Sequence, residues 1–180
     1  MKKILTNEQE ASRQQFQAHI DAEMRGDLDT TLSTMTSNPH LNNIPTLIGG
    51  IGQEAVRSFY SKLLPVNKFF PADTEMVPVS QTIDQNQLVD ELIFKFTHNT
   101  EIGWMLPNIA PTGKRVEIPL VVIVGFKDGK VTHEHIYWDQ ASVFANRHAG
   151  RHRATRLWHR NCCPHGGDPR PGKNMNDVTR

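Results

Sequence analysis

The chain contains no apolar run approaching the roughly 18 residues that a membrane span requires. Its opening stretch, MKKILTNEQE, has no apolar core of the kind a secretory signal carries. A cytoplasmic protein is therefore expected. Cysteine is scarce: there are two, Cys162 and Cys163, adjacent and so a poor disulfide pair with each other, which argues against a secreted, stapled fold. An excess of charge is missing as well, since a formal net charge of +1 offers no general attraction to nucleic acid or membrane. Internal repeats are absent. The 180 residues suffice for one domain with a real core.

What is present is organised around Lys114 to Ser142. Its first half is β-branched and apolar on both alternating sets, the pattern of a strand covered on both faces. Asp128-Gly129 then stands between two β-patterned runs, a strong hairpin signal. In the returning strand, Thr132, Glu134, Ile136 and Trp138 share one side, and His133, His135 and Tyr137 share the other. One side thus sets a carboxylate among apolar neighbours.

From the start of the chain, Asn7 with Glu10 reads as a helix N-cap, followed by Phe16, Ile20 and Met24 on one face. Gly26 ends this helix. A short second helix from Asp27 to Met35 buries Leu28, Leu32 and Met35, and Ser37-Asn38-Pro39 breaks it. An extended segment fits His40 to Pro45. A third helix from Gln53 to Leu64 buries Val56, Phe59, Tyr60 and Leu63. The period then changes to strands at 74–83 and 88–98, the latter turning Asp90 and His98 inward with Leu88, Leu92, Phe94 and Phe96. The loop containing Trp104-Met105-Leu106-Pro107 is too apolar for a plain connector and suits a lid. Three helices before four long antiparallel strands predict an α+β domain with helices on one face of the sheet.

This order, with Gly26-Asp27-Leu28-Asp29, the Gly52 to Tyr60 string, Pro111 to Glu117, Phe126 to Lys130 and Tyr137-Trp138-Asp139-Gln140, resembles the nuclear-transport-factor-2-like superfamily. That superfamily includes SnoaL-like polyketide cyclases, ketosteroid isomerases and limonene epoxide hydrolases. The resemblance implies a cone-shaped α+β roll, three N-terminal helices on a curved antiparallel sheet, over residues 1–144. It also implies an apolar pocket in which Asn43 takes the place of the isomerases' general-base aspartate, and His19 that of their oxyanion-hole tyrosine. Val122 stands where the isomerases keep a protonated aspartate, and Ile136 where the epoxide hydrolases keep a catalytic one. Both departures speak against those two reactions in their familiar form.

The remaining candidates are Glu134, His19, Asn43 and Asp90 as catalytic groups, with His98, Trp104, Trp138, Tyr60 and Val122 around a substrate. A carboxylate desolvated by aromatic neighbours becomes a competent acid or base near neutrality, and His19 or His98 could donate to a developing enolate. The expected activity is cofactor-free cyclisation, isomerisation or hydration of an apolar carbonyl compound. The alternative is a ligand-binding or dimerisation module of the same shape. Each residue also has a purely structural account: Glu134 as partner of Arg115 or Lys130, His98 as a strand-end cap, Trp138 as core, Asp90 paired to the first or third helix.

No metal or cofactor is expected. His133 and His135 sit at i and i+2 on one strand, a spacing that suits metal ligands, but no third ligand is evident in the sequence. The expected partner is a second copy, met through the outer face of the sheet where Pro119, Val121 and Ile123 lie. Residues 145–180 form a basic segment expected to be disordered. From Phe144 onward there are eight Arg or Lys against two Asp, a break in pattern like that of a shifted reading frame. His159, Cys162, Cys163 and His165 are zinc-type residues without a second spaced pair.

Overall fold

The structure is a computed structural model and describes residues 5–64 and 69–148. Ten elements follow one another: α1 (Asn7–Met24), α2 (Leu28–Ser33), β1 (Met35–Asn43), β2 (Ile48–Ile51), α3 (Gln53–Leu63), β3 (Glu75–Ile83), β4 (Gln87–Thr97), β5 (Arg115–Lys127), β6 (Lys130–Trp138) and α4 (Gln140–His148). Six strands form one open, curved sheet in the order β2-β1-β6-β5-β4-β3. Every neighbouring pair is antiparallel except β1 and β6, which run parallel. The sheet is therefore mixed, where the sequence suggested an antiparallel one. The cause is β1: its polar, proline-containing run carries little strand signal by itself, and its partner β6 lies about a hundred residues further along the chain.

Local chemistry fixes the helix ends that position the site. Thr6, one residue before the expected cap, accepts from the Gln9 backbone N–H, while the Gln9 side chain accepts from the Thr6 N–H. At the other end Gly26 takes φ 69°, and the N–H groups of Gly26 and Asp27 return to the carbonyls of Glu23 and Ala22. This closes α1 and turns the chain straight into α2, which Asp27 caps through the Thr30 N–H. In the β5–β6 hairpin both Asp128 and Gly129 have positive φ, the geometry that matches the twist of a tight antiparallel hairpin.

The buried face of α1 is not the apolar stripe expected from Phe16, Ile20 and Met24. Phe16, His19, Ala22 and Glu23 are buried, Ile20 is partly buried and Met24 lies out at 46 % exposure. The helix is rotated so that a histidine and a glutamate face the sheet. The apolar loop around Trp104 is likewise not a loose connector: Ile102, Trp104, Met105 and Leu106 are all buried, and they close one end of the core. Val143 of α4 is buried too, so helix continues through residues 145–148, part of the segment expected to be disordered. The remainder of that expectation, with His159, Cys162, Cys163 and His165, lies outside the described residues. No helix among the described residues is long and apolar enough to cross a membrane.

Candidate active site

Between α1, the concave sheet face and the Phe69–Trp104 wall lies a cavity of about 590 Å³. Its walls are chiefly apolar: Phe16, Ile20, Phe69, Phe70, Met76, Leu92, Phe94, Trp104, Leu120, Val122 and Ile136. Arg13, Gln14, Gln17, Gln81 and Asp90 add polar lining, and two further carboxyls, Glu23 from α1 and Glu134 from β6, reach the wall from within the core.

Behind those carboxyls is a closed polar network. His19 and Tyr60 are fully buried, and Glu134 and Glu23 are exposed by 2 % and 5 %. His19 Nε2 lies 3.1 Å from Glu134 Oε2 and 3.3 Å from Glu23 Oε1. The Tyr60 hydroxyl donates to Glu23 Oε1 at 2.5 Å and stands 3.2 Å from Glu134 Oε2. On the far side of the ring, His19 Nδ1 meets Thr34 Oγ1 at 2.6 Å. The Thr34 hydroxyl proton is already given to the Thr31 carbonyl, so Nδ1 must carry the hydrogen and Thr34 must accept it.

That tautomer decides the charge. A neutral ring would aim its Nε2 lone pair at the Glu134 carboxylate oxygen 3.1 Å away, an arrangement that favours a proton on Nε2 as well and an imidazolium at His19. Burial alone would lower its pKa; the charges of Glu134 and then Glu23 more than reverse this and hold it well above the ordinary 6.5. Burial pushes Glu23 above the ordinary carboxylate value of 4.5, and the neighbouring Glu134 charge adds to the push even against His19. For Glu134 burial acts upward too, but the His19 charge and hydrogen bond outweigh it and the pKa falls. The two carboxyls are therefore pushed apart, Glu134 toward the anion and Glu23 toward the acid. Each also has one oxygen held and one left over: all the bonds to Glu134 fall on Oε2 and all those to Glu23 on Oε1, leaving Glu134 Oε1 and Glu23 Oε2 unbonded among the described residues.

The candidates from sequence divide accordingly. Glu134, Asp90, Trp104 and Val122 line the cavity. His19 and Tyr60 sit one layer behind it, bonded to the carboxyls. Glu134 has His19 for its partner rather than Arg115, which pairs with Asp73 and Glu75. Asp90 is paired to neither helix; it accepts from Gln81, and burial raises its pKa. Trp138 packs edge-on against Trp104 at 5.4 Å and stands outside the cavity wall. His98 is buried at the end of β4 with Nδ1 3.2 Å from Thr112 Oγ1, away from the cavity.

Asn43 does not join His19 and Glu134. Its Nδ2 donates to the Ile48 carbonyl and its own carbonyl accepts from Thr46 and Leu47, so it shapes the β1–β2 turn. Its Oδ1 is buried without a hydrogen-bond partner among the described residues. Glu23, which sequence reasoning passed over, was signalled by its spacing: it follows His19 by one helical turn and so shares its face.

Helices packed on a curved, open sheet around such a cavity define the nuclear-transport-factor-2-like class. Within it, the chain belongs to the SnoaL-like domain family, whose model matches residues 16–134. Solved structures of similar fold include a candidate polyketide cyclase from Xanthomonas campestris pv. campestris, at 19 % identity over 78 % of this chain and 99 % of that one, with TM-score 0.60. A candidate SnoaL-like polyketide cyclase from Jannaschia sp. CCS1 has 16 % identity over 83 % and 99 %, with TM-score 0.65. An epoxide hydrolase of limonene-epoxide-hydrolase type from M. tuberculosis has 14 % identity over 77 % and 90 %, with TM-score 0.56. At such identities the likeness is one of fold. No curated protein matches the chain by sequence.

Proposed function

We propose that the protein is a cytoplasmic small-molecule enzyme that uses its own carboxyl pair, without a cofactor, to move a proton on an apolar carbonyl compound. The observation that carries this reading is that both carboxyls line an apolar cavity, each with one oxygen outside the hydrogen-bonded network. Glu134 Oε1 takes a proton from the carbon next to the carbonyl, and Glu23 protonates the enolate oxygen as it forms. His19 and Tyr60 act as positioning residues that hold the charge on Glu134. Cyclisation, isomerisation and hydration all begin or end with such a transfer. The names of the structural neighbours, cyclases and an epoxide hydrolase among them, agree with chemistry of this kind in this fold.

The test is exchange of α-hydrogens in deuterated buffer, followed by proton NMR across a panel of apolar ketones and 1,3-dicarbonyl compounds that raise the melting temperature. The protein should accelerate exchange, and Glu134→Gln should cut the rate by about 10²–10⁴-fold while still binding the ligand. The rival reading, a non-catalytic binding module, draws on the nearly complete burial of Glu134. It requires binding with no exchange, and that result would remove the enzymatic reading.

A second copy on the outer sheet face belongs to the same proposal. Pro119, Val121 and Ile123 of β5 are half-exposed there beside His133, His135 and the 38 %-exposed Tyr137. Sedimentation should show a dimer, and Val121→Asp, which sets a charge in that face, should give a monomer. Monomers from both chains would overturn it.

A further inference from the structure

The outer sheet face supplies the third histidine that the sequence did not reveal. β1 lies parallel to β6 with His40 opposite His133 and Asn42 opposite His135. This brings His40 Nδ1 to 3.4 Å from His135 Nε2. The His133 ring lies 4.8 Å from that of His135, centre to centre, and the His40 ring 4.9 Å. Gly125, opposite His133 on β5, makes room for this: a Cβ there would fall 2.2 Å from His133 Cε1.

We propose that His40 and His135, with His133 beside them, form a binding site for a divalent transition-metal ion of the zinc or nickel class. Two nitrogens on one tetrahedral zinc, each about 2.05 Å from it, stand about 3.3 Å apart. The observed 3.4 Å, now bridged by a hydrogen bond, is close to that, and the ion takes the place of the bridging proton. His133 completes the set by turning about its side-chain bonds, and water or an exogenous anion takes the fourth position. The donors are imidazole alone, which selects zinc, nickel or copper over magnesium or calcium, whose sites are built of oxygen.

The platform is rigid, because β6 is hydrogen-bonded on both sides, to β1 and to β5. His133 and His135 point to the face opposite Glu134 and Ile136, so the ion does not reach the cavity. Its consequence is structural: it ties β1 to β6, the one parallel pair of the sheet.

The test is titration of the full-length chain with Zn²⁺ and Ni²⁺ by calorimetry, with Mg²⁺ as comparator, in a background carrying Cys162→Ser, Cys163→Ser, His159→Gln and His165→Gln to silence the basic segment. One Zn²⁺ per chain should bind, Mg²⁺ should not, and saturating Zn²⁺ should raise the melting temperature by about 5 °C. His40→Gln and His135→Gln should each weaken Zn²⁺ binding at least tenfold while leaving the metal-free melting temperature within about 2 °C. Undiminished binding in both variants would overturn the proposal. So would loss of binding in Glu23→Gln, since that would put the ion in the buried network instead.

Discussion

Replacing His19 with leucine will lower the unfolding free energy by about 3–5 kcal/mol at neutral pH, the usual cost of breaking a buried ion pair from one side. Leucine fills much of the volume and removes the only cation that Glu134 and Glu23 touch among the described residues. Thr34 loses its donor at the same time, and Tyr60 is left between two carboxyls with a single proton to give. The penalty carries a pH signature. Without His19, burial drives the Glu134 pKa above 4.5, so the variant loses stability as pH rises from 4.5 toward that raised value, and the gap to wild type closes as pH falls through 4.5. In the wild type the signs are separate. The raised pKa of His19 gives stability that is complete below 6.5 and is lost as pH climbs through its folded value; the lowered pKa of Glu134 gives stability present above 4.5 and lost as pH falls through its own. Urea unfolding of both proteins between pH 4 and 9 measures this. A gap of under 1 kcal/mol at pH 7 would mean that His19 is not the counter-charge of the pair.

What could be read in the sequence follows from how local its cause is. The β5–β6 hairpin was legible because Asp128-Gly129 dictates the turn within a few residues, and β6 parity then placed Glu134 with Ile136 and opposite His133. Alternation likewise turned the even side of β4 inward, where Leu88, Leu92, Phe94 and Phe96 are buried. The hidden parts depend on distant partners. β1 is a strand because β6 accepts it, and its own residues, with Pro39 and two asparagines near Pro45, do not say so. Apolar spacing points to the wrong face of α1, because the buried positions hold His19 and Glu23, acceptable inside only because Tyr60, Thr34 and Glu134 meet them. The same reliance on distant chain hides the pairing of His40 with His135, while the place in the site that the family resemblance implies for Asn43 fails because its amide Nδ2 is held in the turn after β1.

The two carboxyls should behave as a single acid and a single base, and a double-mutant cycle exposes this. Glu23→Gln puts a neutral amide of the same shape where burial already disfavours the charged carboxyl, keeps Glu134 beside His19, and should cost less than about 1 kcal/mol. Glu134→Gln is more costly, about 1–2 kcal/mol, because Glu23 must now ionise in its place. With the Glu134 charge gone, the repulsion that helped raise the Glu23 pKa is gone too, so Glu23 can take over as partner of His19. In the double variant neither can do so. The imidazolium is left buried without an anion, burial alone then governs its pKa and drives it down, and the loss should reach about 3–5 kcal/mol. That exceeds the sum of the single losses by about 1–3 kcal/mol, the coupling expected of groups that share one charge. Imidazole NMR should show His19 still protonated at pH 7 in both single variants and neutral in the double. Strict additivity of the three unfolding free energies, or an imidazolium that persists in the double variant, would show that Glu23 and Glu134 do not share a charge, and the division into resident acid and resident base would go with it.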